Sequence, residues 1–297
     1  MPVFTHEIRK QPMRKTLHAI IIASVLVACQ RQIDPPTSQP TPNTITTPAQ
    51  GTTDTVVCTP FAQHILVQLD AWHADSALLQ LPCSYNVKAN TEKYPLLIFL
   101  NGTGESAKHG NLKKLKKWGP PHYMLDSMRF EFKVAGKMQP MIVVCPQSET
   151  GYRSPLTTNQ VIDFMIAKYR VDASRIYLTG LSAGAQSLLR YLTQKPEYAA
   201  RIAAAVPMST IKLDSTSRSH LYYINNAHVP LNWFCGDKDE TYLKANEAYA
   251  AAINAVTPNL VQFRTYDGAH NNWNAMYKPT HKYYKPNIYE WMLQYSK

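Results

Sequence analysis

Leu178-Thr179-Gly180-Leu181-Ser182-Ala183-Gly184 is the stretch on which the reading of this chain turns. It sets a Gly-x-Ser-x-Gly pattern between an apolar run, Arg175 to Thr179, and a helical pattern, Ala183 to Thr193. A strand that passes into a helix within so few residues crowds its own backbone. Glycines on both sides of the turn remove the side chains that would collide there. The turn holds the Ser182 hydroxyl out at the strand end. The first free N–H groups of the helix, that of Ala183 among them, then face any negative charge that develops beside it.

Outward from this point the chain alternates two patterns. Short apolar runs recur at Pro95–Leu100, Met141–Cys145, Ile202–Val206, Leu231–Cys235 and Leu260–Arg264, after an N-terminal β stretch (His64–Leu69 and Ala77–Leu81). Runs so short and so apolar suit strands covered on both faces. Between them Thr158–Tyr169, Ala183–Thr193, Glu247–Ala255 and Ile288–Tyr295 repeat apolar residues at helical spacing. Strands alternating with helices predict an α/β domain with a mostly parallel sheet and helices on both faces. In such sheets the reactive residues stand in loops beyond the strand C-termini.

The chemistry falls in those loops. A serine hydroxyl is inert at neutral pH without a base, and His270 offers one. It sits in Tyr266-Asp267-Gly268-Ala269-His270-Asn271-Asn272-Trp273, a turn-rich loop between the last apolar strand and the final helix. An acid that orients the imidazole must lie between the two. Trp233-Phe234-Cys235-Gly236-Asp237-Lys238-Asp239-Glu240 supplies it, with Asp239 and Asp237 the main candidates. After the Pro95–Leu100 run, Asn101-Gly102-Thr103-Gly104-Glu105 allows close backbone approach, so the Thr103 N–H pairs naturally with that of Ala183 as an oxyanion donor. Trp273, three residues beyond His270, and Trp118 are the aromatic residues expected at the cleft mouth, where they would bind substrate. No Cys/His cluster has metal-site spacing, and no cofactor is expected.

As a set these residues resemble the α/β-hydrolases. The likeness is to the branch that includes feruloyl and acetylxylan esterases, prolyl-oligopeptidase-like enzymes and dienelactone-hydrolase-like proteins. Tyr94 to Glu105, Gly119-Pro120-Pro121, Cys145-Pro146-Gln147, the Ser182 turn, His270 to Trp273 and Tyr289 to Leu293 carry the resemblance, which covers about Leu81 to Lys297. It implies a Ser182–Asp239–His270 triad, because the fold places its acid three residues after the glycine that ends the strand; Asp237 is the runner-up. It also implies a serine carboxylester hydrolase working through an acyl-enzyme, on ester-decorated carbohydrate or a related extracellular ester. Two departures stand out: Asn101 where the family usually has His, and Ala185 where a second Gly is common. A prolyl-oligopeptidase-type peptidase shares the triad, but this chain has no region with the repeat period of a propeller. A glycan-binding protein on an inactive hydrolase fold would lack a triad member, and none is lacking. Ser209 to Val229, where this fold inserts lids, is short and largely polar, which argues against an interfacial lipase.

The N-terminus reads as an address. Met13-Arg14-Lys15 precedes a mostly apolar run from Leu17 to Ala28, a signal-peptide pattern that places the true start at Met13. Leu26-Val27-Ala28-Cys29 resembles a bacterial lipobox, which implies cleavage before Cys29 and a lipid on its sulfur. Gln30, where an inner-membrane retention signal carries Asp, points to the outer membrane or cell surface. Residues 29–55, rich in Pro and Thr, form a tether too polar to offset its ordering entropy, so the catalytic domain is expected over 56–297. Cys58 and Cys83 are the expected disulfide pair, while Cys145 and Cys235, at strand ends, read as core residues. The net charge of +11 is no binding signature. Arg9, Lys10, Arg14, Lys15 and Arg31 against Glu7 supply +4 of it, and nucleic-acid motifs are absent.

Overall fold

The computed structural model describes residues 62–71, 73–87, 90–107, 110–126, 128–281 and 284–297. Its strands are β1 (Ala62–Gln68), β2 (Ala74–Gln80), β3 (Tyr94–Leu100), β4 (Glu131–Val134), β5 (Lys137–Pro140), β6 (Ile142–Pro146), β7 (Val171–Leu181), β8 (Ala204–Met208), β9 (Leu231–Gly236) and β10 (Val261–Tyr266). Eight of them form one sheet in the order β1-β2-β6-β3-β7-β8-β9-β10. From β6 to β10 neighbouring strands run parallel; β1 and β2 add an antiparallel hairpin at one edge, with β2 antiparallel to β6. The sheet is therefore mixed and mostly parallel, as the alternation of apolar runs and helices predicts.

Strand pleating sorts the core into two layers. Leu96, Ile98 and Leu100 of β3 join Ile176 and Leu178 of β7 on one face, against Val161, Ile162, Leu188, Leu192 and Ile253 from the helices Pro155–Lys168, Ala183–Gln194 and Leu243–Val256. Leu97 and Phe99 point to the other face with Tyr177 and Phe234, where Met276, Tyr289 and Trp291 from the helices Trp273–Tyr277 and Ile288–Met292 cover them. Every residue of β3, β6, β8 and β9 is buried, which is why these strands read as unbroken apolar runs rather than alternating ones. Cys145 and Cys235 are free and buried, as expected of core residues. Cys83 is disulfide-bonded; Cys58, its expected partner, lies outside the described residues, as do the signal segment, Cys29 and the tether.

Two features escape the apolar pattern. β4 and β5 form a small separate hairpin turning at Ala135-Gly136, both with positive φ. β7 begins at Val171, four residues before its apolar stretch, because Asp172 accepts hydrogen bonds from Ser174 and Arg175 and lets polar residues continue the strand.

Candidate active site

Ser182 follows the last residue of β7 and caps the helix Ala183–Gln194 with φ 54° and ψ −118°. A non-glycine residue in that region costs roughly 1–3 kcal/mol and persists only where its surroundings impose it. Here they do. The Ser182 N–H donates to the Met208 carbonyl at 2.9 Å, and its own carbonyl accepts from Gln186 N–H at 3.0 Å. Gly184 meets the end of β3 so closely that a Cβ there would stand 2.0 Å from the Leu100 carbonyl oxygen. The turn is thus clamped between the ends of β3 and β8, and its strain keeps the hydroxyl presented.

His270 reaches Ser182 from the loop after β10: Nε2 lies 2.9 Å from Ser182 Oγ, across 88 residues of sequence. Its Nδ1 lies 2.7 Å from Oδ2 of Asp239, whose side chain comes from the loop after β9. An ionised carboxylate only accepts, so Nδ1 carries the ring proton and Nε2 turns its lone pair to the serine hydroxyl. Asp239 is 4% exposed and its Oδ1 accepts from the Tyr242 N–H at 3.2 Å. Beneath it, burial pushes the Cys235 thiol up to about 12, with the nearby Asp239 charge adding to the effect. That thiol stays protonated and lies 3.8 Å from Asp239 Oδ2. Asp237 is placed otherwise. It is exposed, and its Oδ1 accepts from the Gly268 N–H at 2.9 Å, tying the loop after β9 to the loop after β10. The two loops press together where Gly236 ends β9: a Cβ at that position would fall 2.3 Å from both the Gly268 and the Ala269 carbonyl oxygens.

The loop after β3 lies against the same turn. Thr103 is exposed, and among the described residues its N–H and that of Ala183 have no hydrogen-bond acceptor. Asn101, in the place where the resembled family usually has His, is buried and braces this loop: Nδ2 donates to the Gly102 carbonyl at 2.8 Å, and Oδ1 accepts from Ser148 N–H at 2.9 Å. Glu105, to which the sequence alone assigns no role, braces the same loop. Its buried carboxylate accepts the Gly102 N–H at 2.9 Å and so fixes the residue before Thr103. Burial raises its pKa, against the Gly102 hydrogen bond and the Lys117 charge that act to lower it. Gly102 has no side chain to complete a capping box, so the three-residue spacing to Glu105 gives no such signal in the sequence.

Trp273 packs its ring edge-on to His270, with centroids 5.2 Å apart, and is only 6% exposed. Trp118, half-buried, meets Trp273 at 5.5 Å. Asn274 locks the two segments together, accepting from Gly119 N–H and donating to the Lys117 carbonyl. Trp273 is thus buried beneath its loop rather than open at the cleft mouth, and Trp118, the more exposed of the two, packs over it on the side of His270. Tyr242, which the sequence reading also leaves without a role, stands 5.1 Å from the imidazole, ring to ring. No group of three or more His, Cys, Asp or Glu among the described residues is placed to hold a metal ion.

No family model matches the chain, and no curated protein does. Solved structures match it by shape. A thermostable esterase superposes with a TM-score of 0.57 at 21% identity, covering 80% of this chain and 64% of that one, so the chain spans less than two thirds of that esterase's length. A mutant of the feruloyl esterase module from Clostridium thermocellum, complexed with sinapinate, gives a TM-score of 0.50 at 16% identity, with coverage of 71% and 82%. Uncomplexed Pyrococcus horikoshii acylaminoacyl peptidase also gives 0.50, at 14% identity, with coverage of 80% and 45%. At such identities the likeness is one of architecture, and together with the strand order and the clamped serine turn it shows that this chain has the α/β-hydrolase fold.

Proposed function

We propose that the chain is a serine hydrolase that cleaves carboxylic esters through an acyl-enzyme, with carbohydrate-borne or related extracellular esters as its substrates. The observation that carries this reading is the continuous relay from Ser182 Oγ through His270 to Asp239, at 2.9 and 2.7 Å. Ser182 Oγ attacks the ester carbonyl while His270 Nε2 takes its proton. The N–H groups of Thr103 and Ala183 receive the charge on the carbonyl oxygen. The imidazolium, stabilised by Asp239, returns the proton to the leaving alkoxide. Water then repeats the sequence on the acyl-enzyme and releases the acid. Neither step calls for a cofactor.

The choice of substrate rests on the cleft's cover. Ser209–Val229 holds two single-turn helices, Ser215–Ser219 and Tyr222–Asn226, pinned by the buried side chains of Leu213, Leu221 and Ile224 and by an Arg190–Asp214 ion pair. A segment so anchored supports an open cleft rather than an apolar lid. Trp118, partly exposed and backed by the buried Trp273, suits a short or aromatic acyl group. In the same proposal a lipid on Cys29 holds the enzyme at a bacterial membrane, and residues 29–55 set it off the surface.

A panel of nitrophenyl acetate, butyrate, octanoate and palmitate beside methyl ferulate and acetylated xylan tests the reading. Acetate and ferulate esters should lead. A maximum at palmitate would overturn the open-cleft and carbohydrate-ester assignment.

A further inference from the structure

The loop that follows β6 bounds a cavity of about 530 Å³ that contains none of the three relay residues. That volume lies within the range of small-molecule sites. Its lining includes Asp70, His73, Asp75, Glu149, Tyr152 and Arg153, drawn from the β1–β2 turn, the start of β2 and the segment leading into the helix Pro155–Lys168.

Three observations say what this space holds. Arg153 is 4% exposed; it pairs with the Asp75 carboxylate, and its backbone N–H donates to Ser187 Oγ at 2.9 Å. Its Nη2 is nonetheless buried with no hydrogen-bond acceptor among the described residues, and Arg153 is one of the residues that line the cavity. A buried donor left unpaired is costly, and a small shift of the guanidinium toward the cavity would let a ligand oxygen satisfy it. Secondly, the acids outnumber the cations. Asp70, Asp75 and Glu149 stand against His73, which pairs with Asp70, and Arg153, which pairs with Asp75, so an anion is disfavoured while hydroxyls, which both donate and accept, find partners of each kind. Thirdly, Tyr152 and Leu156 also line the cavity and are 45% and 60% exposed, an apolar edge beside a polar floor. Pyranose rings have that composition, with C–H faces flanked by hydroxyls.

The cavity also adjoins the reacting centre. A Cβ on Gly151 would lie 2.4 Å from Thr103 Cα and 2.6 Å from Thr103 N, so the cavity's loop rests on the proposed oxyanion donor. Ser148, another lining residue, holds Asn101 of the same loop. Ser187, which accepts from Arg153, stands on the helix that begins beside Ser182.

We infer that this cavity is a carbohydrate subsite, which binds a neutral sugar of the chain that carries the scissile ester. The inference rests on the ester-hydrolase reading of Ser182, and the test separates the two. Ser182→Ala protein is titrated with xylotetraose, cellotetraose and trigalacturonate by calorimetry. At least one neutral tetrasaccharide should bind saturably and better than trigalacturonate. Tyr152→Ala in that background should weaken binding at least about fivefold, and Tyr152→Phe, which keeps the ring, should restore it. In the active chain Tyr152→Ala should lower kcat/KM on acetylated xylan at least about tenfold more than on nitrophenyl acetate. Absence of saturable binding by both neutral sugars, a preference for trigalacturonate, or binding indifferent to Tyr152→Ala would each overturn the subsite. Those results leave hydrolysis of nitrophenyl acetate intact. Loss of that hydrolysis in the unmutated chain would instead overturn the hydrolase reading.

Discussion

Asp237 and Asp239 stand two residues apart on one loop, and burial divides their work. Asp239 is enclosed and meets His270; Asp237 is exposed and caps the Gly268 N–H. On the proposed mechanism Ser182→Ala and His270→Ala each lower ester turnover by several orders of magnitude, and the double variant is little worse, because the residues act as a unit. Asp239→Asn should cost on the order of 10⁴-fold in kcat by presenting the wrong hydrogen-bond partner to Nδ1. Asp237→Asn should cost less than about tenfold, since an amide oxygen still accepts from Gly268. Steady-state kinetics on nitrophenyl acetate check the order, and a larger effect at Asp237 would transfer the acid's role to it. Ser182 and His270 were legible because glycine-rich turns mark their loops. The choice between the two aspartates leaned on family resemblance, since residue type does not reveal burial. Arg153 was illegible for a related reason: its partner Asp75 lies 78 residues away in sequence.

Among elements, the parallel strands were readable because burial on both faces leaves no polar position to blur them. β4 and β5 were not. They are four residues each, mix polar with apolar positions, and turn at Ala135-Gly136 rather than at the Asn-Gly or Asp-Gly that marks a two-residue hairpin. The site depends on how the strand ends meet. Gly236→Ala should push the loop after β9 from the loop after β10, lowering both the melting temperature and kcat; unchanged kinetics would show that the contact is not needed. Glu105 gives the loop after β3 a pH dependence. Its folded-state pKa is raised by burial, so its contribution to stability is present below the ordinary glutamate pKa of about 4.3 and is lost as pH rises through the folded value. Between pH 4 and 7 the melting temperature of the parent chain should therefore fall relative to that of Glu105→Gln, followed by calorimetry at matched ionic strength. A parallel course for the two would remove Glu105 as the cause.

At the scale of the molecule, the ends of β3, β7, β9 and β10 all deliver their loops to one side of the sheet, which is how four distant segments converge on one serine. The address segment belongs to this scale too. No helix among the described residues is long and apolar enough to cross a membrane. The proposed anchor is a lipid on Cys29: Cys29→Ser should move the protein from the membrane to the soluble fraction with its turnover unchanged, and continued membrane association would rule out a thioether-linked lipid. On the proposed mechanism Ser182 is an activated nucleophile, and covalent labelling reads that property out. A fluorophosphonate probe followed by peptide mapping should mark Ser182 stoichiometrically in the parent chain. Labelling should slow by at least about a hundredfold in His270→Ala and vanish in Ser182→Ala. A chain that takes up no probe, or takes it up at another serine, would rule out Ser182 as the nucleophile.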